Sequence, residues 1–235
     1  MRLLRQTYQG LVRMIFPRPC PGCERSLFAH EKVICQVCQL QLPFVTIGQK
    51  EDSLLVQRLA GRVRLETGVA MLRFYKGGLS RKLLHAIKYK GHRELAVALG
   101  RLFGERLKEK DLLPAGGILV PVPLHPLKQQ IRGFNQSEEI AKGIGEVTGH
   151  PVVTSALSRT VFHLSQTQKG REDRWEEIKQ DFQALSSQVK GRDIILVDDV
   201  CTTGATIEAC ANTLLEQGAK SISLLTLAVA GDNYQ

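Results

Sequence analysis

The sequence has 235 residues, 43% of them hydrophobic, which is enough for one large domain, or a mid-sized one with a small companion, and excludes a disordered chain. Its longest unbroken apolar run, Ile118–Leu124, contains two prolines and is not suited to span a bilayer. The basic first sixteen residues lack the apolar stretch and cleavage site of a signal peptide, so a soluble cytoplasmic protein without stable membrane insertion is expected. The net charge of +9 is uneven: residues 1–110 carry 21 basic and 8 acidic side chains, residues 111–235 carry 11 and 15. Such asymmetry suits a basic face for nucleic acid or another polyanion, and equally suits cations that are simply solvated.

Leu4, Tyr8, Leu11, Val12 and Ile15 recur at helical spacing, with Arg2, Arg5 and Arg13 mostly off that stripe. The stripe fits a helix docked on the rest of the fold, or one that seeks a surface. Then come Cys20, Cys23, Cys35 and Cys38, in the spacing C-x2-C-x11-C-x2-C. Each C-x2-C turn presents two sulfurs from one side, and the loop between brings the pairs together, as a tetrahedral Zn(II) requires. Two disulfides are the alternative, disfavoured in a reducing cytosol. With four thiolate ligands the ion is coordinatively closed and structural. Binding it would supply most of the stability of so short a segment, on the order of 10–16 kcal/mol in peptide models. Residues 1–60 are therefore read as an amphipathic helix with a four-cysteine zinc module, and 61–235 as the main domain.

The main domain alternates strands and helices. Strands are expected at 69–75, 117–123, 152–157 (the weakest), 194–197 and 221–229, and helices at 79–90, 94–110, 136–147 and 205–216. That order predicts an α/β fold with a mostly parallel sheet covered on both faces, its ligands beyond the carboxyl ends of the strands. In the helix at 79–90, Arg81, Lys82, Lys88 and Lys90 form a basic face with Tyr75, Tyr89 and His92 close by. Backbone tracking and base stacking of single-stranded nucleic acid would use that combination, although a polar face is usually only solvated.

The segment carrying the chemistry is Ile194-Ile195-Leu196-Val197-Asp198-Asp199-Val200-Cys201-Thr202-Thr203-Gly204-Ala205-Thr206. A buried strand ends in two carboxylates, and the chain then turns into a helix whose free N–H groups and threonine hydroxyls surround one point, an anion site made for a phosphate. The acids suit vicinal ribose hydroxyls, or waters on Mg(II). Hydroxyls beside a terminal phosphate describe a ribose 5-phosphate. An ordinary capped helix is the plainer reading, and it leaves the acid pair unexplained. Cys201 is a small filler and Cys210 a core residue. Ser158–Ser187 is a long polar stretch of the kind that forms lids.

Strand, acid pair and T-T-G-A-T resemble the PRPP-binding loop of type I phosphoribosyltransferases. The resemblance narrows with Val120-Pro121-Val122-Pro123-Leu124-His125-Pro126, with Arg132-Gly133-Phe134-Asn135-Gln136-Ser137, with Tyr89-Lys90-Gly91 and with the cysteine knuckles. Together these resemble the ComF family of competence-associated cytoplasmic proteins, with a zinc-binding amino terminus and a phosphoribosyltransferase-like domain. The resemblance implies binding of PRPP with Mg(II), possible partners among single-stranded DNA and other competence proteins, and a part in DNA uptake. It implies that Asp198 and Asp199 fix the ribose, while Val200, Cys201, Thr202, Thr203, Gly204, Ala205 and Thr206 form the phosphate loop. Pro121, Val122 and Pro123 would receive the pyrophosphate side; the plainer alternative is an edge-strand terminus. Arg132 would hold a phosphate by bidentate contact. Asn135 and Glu138 also read as a helix capping box. Lys169 and Arg171 would lie in a mobile loop closing over PRPP, in which this chain has Glu177 where the family tends to have Asn.

Overall fold

Alternation of apolar segments with amphipathic helices leads to a four-stranded parallel sheet. In the computed structural model, which describes residues 18–47, 54–159 and 181–231, the strands are β1 (Thr67–Phe74), β2 (Ile118–Pro121), β5 (Asp193–Cys201) and β6 (Ser221–Ala230), in the order β1-β6-β5-β2. Ile194 sits opposite Ile118 on one side and Ile222 on the other, so β5 is central and its carboxyl end opens beside that of β2.

Side chains along the strands alternate between two cores, as the two-residue period requires. Leu119, Ile195, Val197, Leu225 and Leu227 face α3 (Leu79–Tyr89), α4 (Arg93–Glu109) and α6 (Gln136–Thr148). Ile118, Val120, Ile194, Leu196 and Leu224 face α2 (Leu54–Leu59) and α8 (Ala205–Glu216). The sheet is covered on both sides, as expected of parallel strands. Helix boundaries follow the sequence expectation closely, and Gly91, with φ of +70°, takes the left-handed conformation that ends α3.

Three features depart from expectation. The strand anticipated at 152–157 reduces to a single parallel bridge between Val152 and Leu119, with Leu157 turning away into another sheet. The ends of the long polar stretch pair with each other, β3 (Leu157–Arg159) running antiparallel to β4 (Phe182–Ala184), before α7 (Ser186–Val189). And β5 does not stop at Val197: it continues through the acid pair to Cys201, which lies opposite Val229 of β6. A short α1 (Gln36–Leu40) belongs to the cysteine segment, and α5 (Pro126–Arg132) follows β2. No helix among the described residues is long and apolar enough to cross a membrane.

Candidate functional site

The acid pair lies inside a strand, and this separates its members. Successive side chains point to opposite faces. Asp199 shares its face with Ile195 and Val197; it is buried, and both its oxygens meet Lys88 of α3, at 3.0 Å (Oδ1) and 2.8 Å (Oδ2). Asp198 is half-buried and lines a small pocket with Val200, Cys201, Thr202, Thr203, Gly204, Ala205 and Thr206. Its Oδ1 accepts from Ser137 Oγ at 3.0 Å and from the Asp199 N–H at 2.8 Å. Removal from water and the adjacent Asp199 raise the Asp198 carboxyl to about 7, against the opposing effect of the N–H, Lys88 and Ser137. Lys88, expected on an open basic face, is instead committed to this pair.

This pocket is shaped from behind. Arg58 Nη1 donates to the carbonyls of Thr202 (2.9 Å) and Cys201 (3.4 Å), and Nη2 to that of Ala230 (2.6 Å). Arg62 Nη1 donates to the Thr203 carbonyl at 2.7 Å, and its Nε to Glu208 of α8 at 2.6 Å. In a trans peptide, C=O and N–H point in opposite directions. Drawing three successive carbonyls toward the guanidinium groups therefore turns the N–H groups of Thr202, Thr203 and Gly204 the other way, beside the first turn of α8. That turn has no side-chain cap, so its amides and the positive end of the helix face the same space. Gly204, with φ of +83°, also meets Leu59 closely: a Cβ there would stand 2.7 Å from Leu59 Cδ2. Sequence reasoning missed Arg58 and Arg62, and quoted Ser137 within a motif without giving it a role, since nothing near them in sequence marks their partners. Cys201 and Cys210 are fully buried and burial raises both thiols, Cys201 to about 11, in keeping with packing roles.

On the β2 side, Pro121 pairs with Val197, and the Val122 N–H donates to the Val197 carbonyl at 2.9 Å. Asn135 caps α6 by accepting from the Ser137 N–H, and its Nδ2 donates to the Val122 carbonyl at 3.0 Å, fixing the strand exit. The cap is thus present at Asn135, while Glu138 pairs with Lys142. Pro121, Pro123, Asn135 and Arg159 line a cleft of about 340 Å³. Arg132, at the end of α5, donates to Gln136 at 2.7 Å and lies over the Tyr89 ring, 5.5 Å from its centroid. Lys169, Arg171 and Glu177 fall outside the described residues, as does the amphipathic stripe at 4–15.

The four amino-terminal cysteines converge, with their sulfurs all within 4.8 Å of one another. Tetrahedral ligands at 2.3 Å give S···S edges of about 3.8 Å, and Cys23 and Cys35 sulfurs stand 3.6 Å apart, far beyond a disulfide bond. Burial opposes ionisation of Cys20, but N–H groups of Cys35, Gly22 and Cys23 outweigh it and lower the thiol to about 7. The donor set fits a closed zinc site.

Residues 140–234 match the phosphoribosyl transferase domain family. The chain is 27% identical over 211 residues to Competence protein ComFC of Bacillus subtilis (strain 168), covering 88% of this chain and 76% of that one. It is 24% identical over 222 residues to Competence protein F of Haemophilus influenzae, covering 90% and 96%. Over most of its length the chain is thus similar to competence proteins of the ComF type. The chain is also 30% identical over 148 residues to DNA utilization protein YhgH of Escherichia coli (strain K12), spanning 62% of this chain and 65% of that one. Among solved structures, glutamine PRPP amidotransferase from B. subtilis is a distant likeness, at 21% identity and a TM-score of 0.41 over 57% of this chain and 26% of its own.

Proposed function

We propose that this protein binds PRPP with Mg(II) and transfers its phosphoribosyl group to a nitrogenous acceptor. The observation that carries the reading is the pocket at the end of β5, where Arg58 and Arg62 hold three carbonyls back and so turn the following amides away from the guanidinium groups, beside Asp198. The 5-phosphate would sit on the amides of Thr202–Thr206 and on the threonine hydroxyls, with the ribose hydroxyls against Asp198. In the transfer, the C1–O bond to pyrophosphate breaks, a C1–N bond forms, and the acceptor nitrogen loses a proton. Arg132 and the strand exit at Pro121–Pro123 would receive the pyrophosphate, whose charge Mg(II) would neutralise. The protein contributes position and electrostatic stabilisation, not a covalent intermediate. The test is PRPP-dependent pyrophosphate release with a panel of bases and amines; no PRPP binding by calorimetry would refute the site.

A second reading has its own observation. Pro21, Gly22 and Cys23 of the knuckle and Arg81, Lys82, His85 and Lys90 of α3 line a groove of about 440 Å³, with Tyr75 packed at its edge against Gly78. A basic groove beside an exposed aromatic suits single-stranded DNA. With relatives named for competence and DNA utilization, this supports a cytoplasmic role in DNA uptake. Affinity for oligonucleotide should fall steeply with salt, and salt-insensitive binding would remove this reading.

A further inference from the structure

The acid pair is treated alike by its sequence but not by its surroundings. Asp198 opens onto the phosphate pocket; Asp199 is turned to the opposite face of β5 and closed off, 3% exposed, with Lys88 on both oxygens. Lys88 reaches it from the last turn of α3, and its side chain is itself only 21% exposed. A buried ion pair of this kind contributes little as a mere fold support, because desolvation offsets its attraction; losing one partner, by contrast, leaves a buried charge. Its cation also stands one residue away from the acid that faces the pocket.

We propose that Lys88 is a positioning residue of the phosphoribosyl site, holding Asp199 against α3 so that Asp198 is the acid presented to the sugar. The proposal rests on the PRPP reading above and divides its two carboxylates between different tasks. Lys88 acts on Asp198 through space as well as through Asp199: it is one of the groups that favour the ionised Asp198, along with Ser137 and the Asp199 N–H. Several other charged groups on the surrounding elements have partners of their own. Glu139 on α6 is held by Arg93 and Lys142, Glu138 by Lys142, Arg62 by Glu208, and Arg58 by the loop carbonyls. Arg132 leans on Tyr89 and Gln136, and the nearby thiols of Cys201 and Cys210 are raised by burial. Among the described residues, Lys88 is the cation in direct contact with the doublet.

The experiment compares wild type with Lys88→Met and Lys88→Arg, measuring PRPP-Mg affinity by calorimetry from about pH 6 to 9, a range that brackets the Asp198 titration. In parallel, the Asp198 carboxyl is titrated by carbon NMR without ligand. Lys88→Met should lose about fivefold or more in affinity at pH 7 and recover as pH rises, with the Asp198 titration moved up by about one unit or more. Lys88→Arg should restore both. An affinity unchanged, or lowered by the same factor at every pH, would overturn the proposal, since a purely structural role gives no pH shift. If wild type binds no PRPP, the site reading fails, and the carboxyl titration then judges Lys88 alone: an unmoved Asp198 overturns its role. Should Lys88→Met not fold, Lys88→Gln carries the same expected shifts.

Discussion

Ser137 Oγ donates to Asp198 Oδ1 at 3.0 Å, joining the first turn of α6 to the end of β5. The bond bears on how the site is aligned. Asn135 caps α6 and ties itself to the Val122 carbonyl, so one helix terminus fixes both the β2 exit and the orientation of Asp198. Ser137→Ala removes a hydrogen bond to the ionised carboxylate, worth about 1.5–3 kcal/mol in such charged pairs. PRPP-Mg affinity at pH 7 should fall by about tenfold, with Ser137→Thr keeping most of it; calorimetry on both variants checks this.

The raised Asp198 pKa has a consequence for stability. An aspartate elevated from its usual range to about 7 binds a proton in the folded state where the unfolded chain has released it. Its contribution to stability is thus fully present below about pH 4 and is lost as pH climbs toward 7. Asp198→Asn removes that dependence. Denaturant unfolding should show the variant gaining on wild type between about pH 5 and pH 8; an equal difference at both would contradict the raised value.

How much of this was legible in the sequence follows from where partners lie along the chain. Cys20 and Cys23, Cys35 and Cys38, and the run Thr202–Thr206 each carry their chemistry within a few residues, so spacing alone points to the sulfur cluster and the loop before α8. Arg58 and Thr202 are 144 positions apart, Lys88 and Asp199 111, and Ser137 and Asp198 61; no local pattern marks such contacts. Charge interrupts the apolar run of β5 at Val197, which places the acids after the strand on sequence grounds, whereas pairing with β6 extends the strand beneath them to Cys201. The β3–β4 ladder is hidden for a similar reason: Ser158 and Gln183 are polar and each strand has only three residues.

Arg58 is the clearest structural prediction outside the motifs. Its guanidinium serves three carbonyls, and truncation would leave them without that donor. Arg58→Ala should cost about 2 kcal/mol, lowering Tm by roughly 4–8 °C for a chain of this size. PRPP affinity should fall as well, because the loop amides lose their fixed direction. Lys cannot fork to separate carbonyls as a guanidinium does, so Arg58→Lys should recover little of either. Full recovery by lysine would show that charge alone matters.

The cysteine module is seated on the main domain through a contact that admits no extra atom. A Cβ on Gly22 would stand 2.9 Å from Cys38 Sγ and 2.7 Å from Leu79 Cδ1. Leu79 is a flexible side-chain end at the start of α3 and can yield; the Cys38 sulfur, once it ligates a metal, cannot. Purified protein should carry one zinc per chain by metal analysis. Gly22→Ala should retain less of it against a competing chelator, while its far-ultraviolet spectrum stays close to wild type because the sheet core lies elsewhere. Cys35→Ser, which removes a ligand outright, should lose zinc altogether. If Gly22→Ala holds the metal as tightly as wild type, the first knuckle is not packed against Cys38 and Leu79 as described.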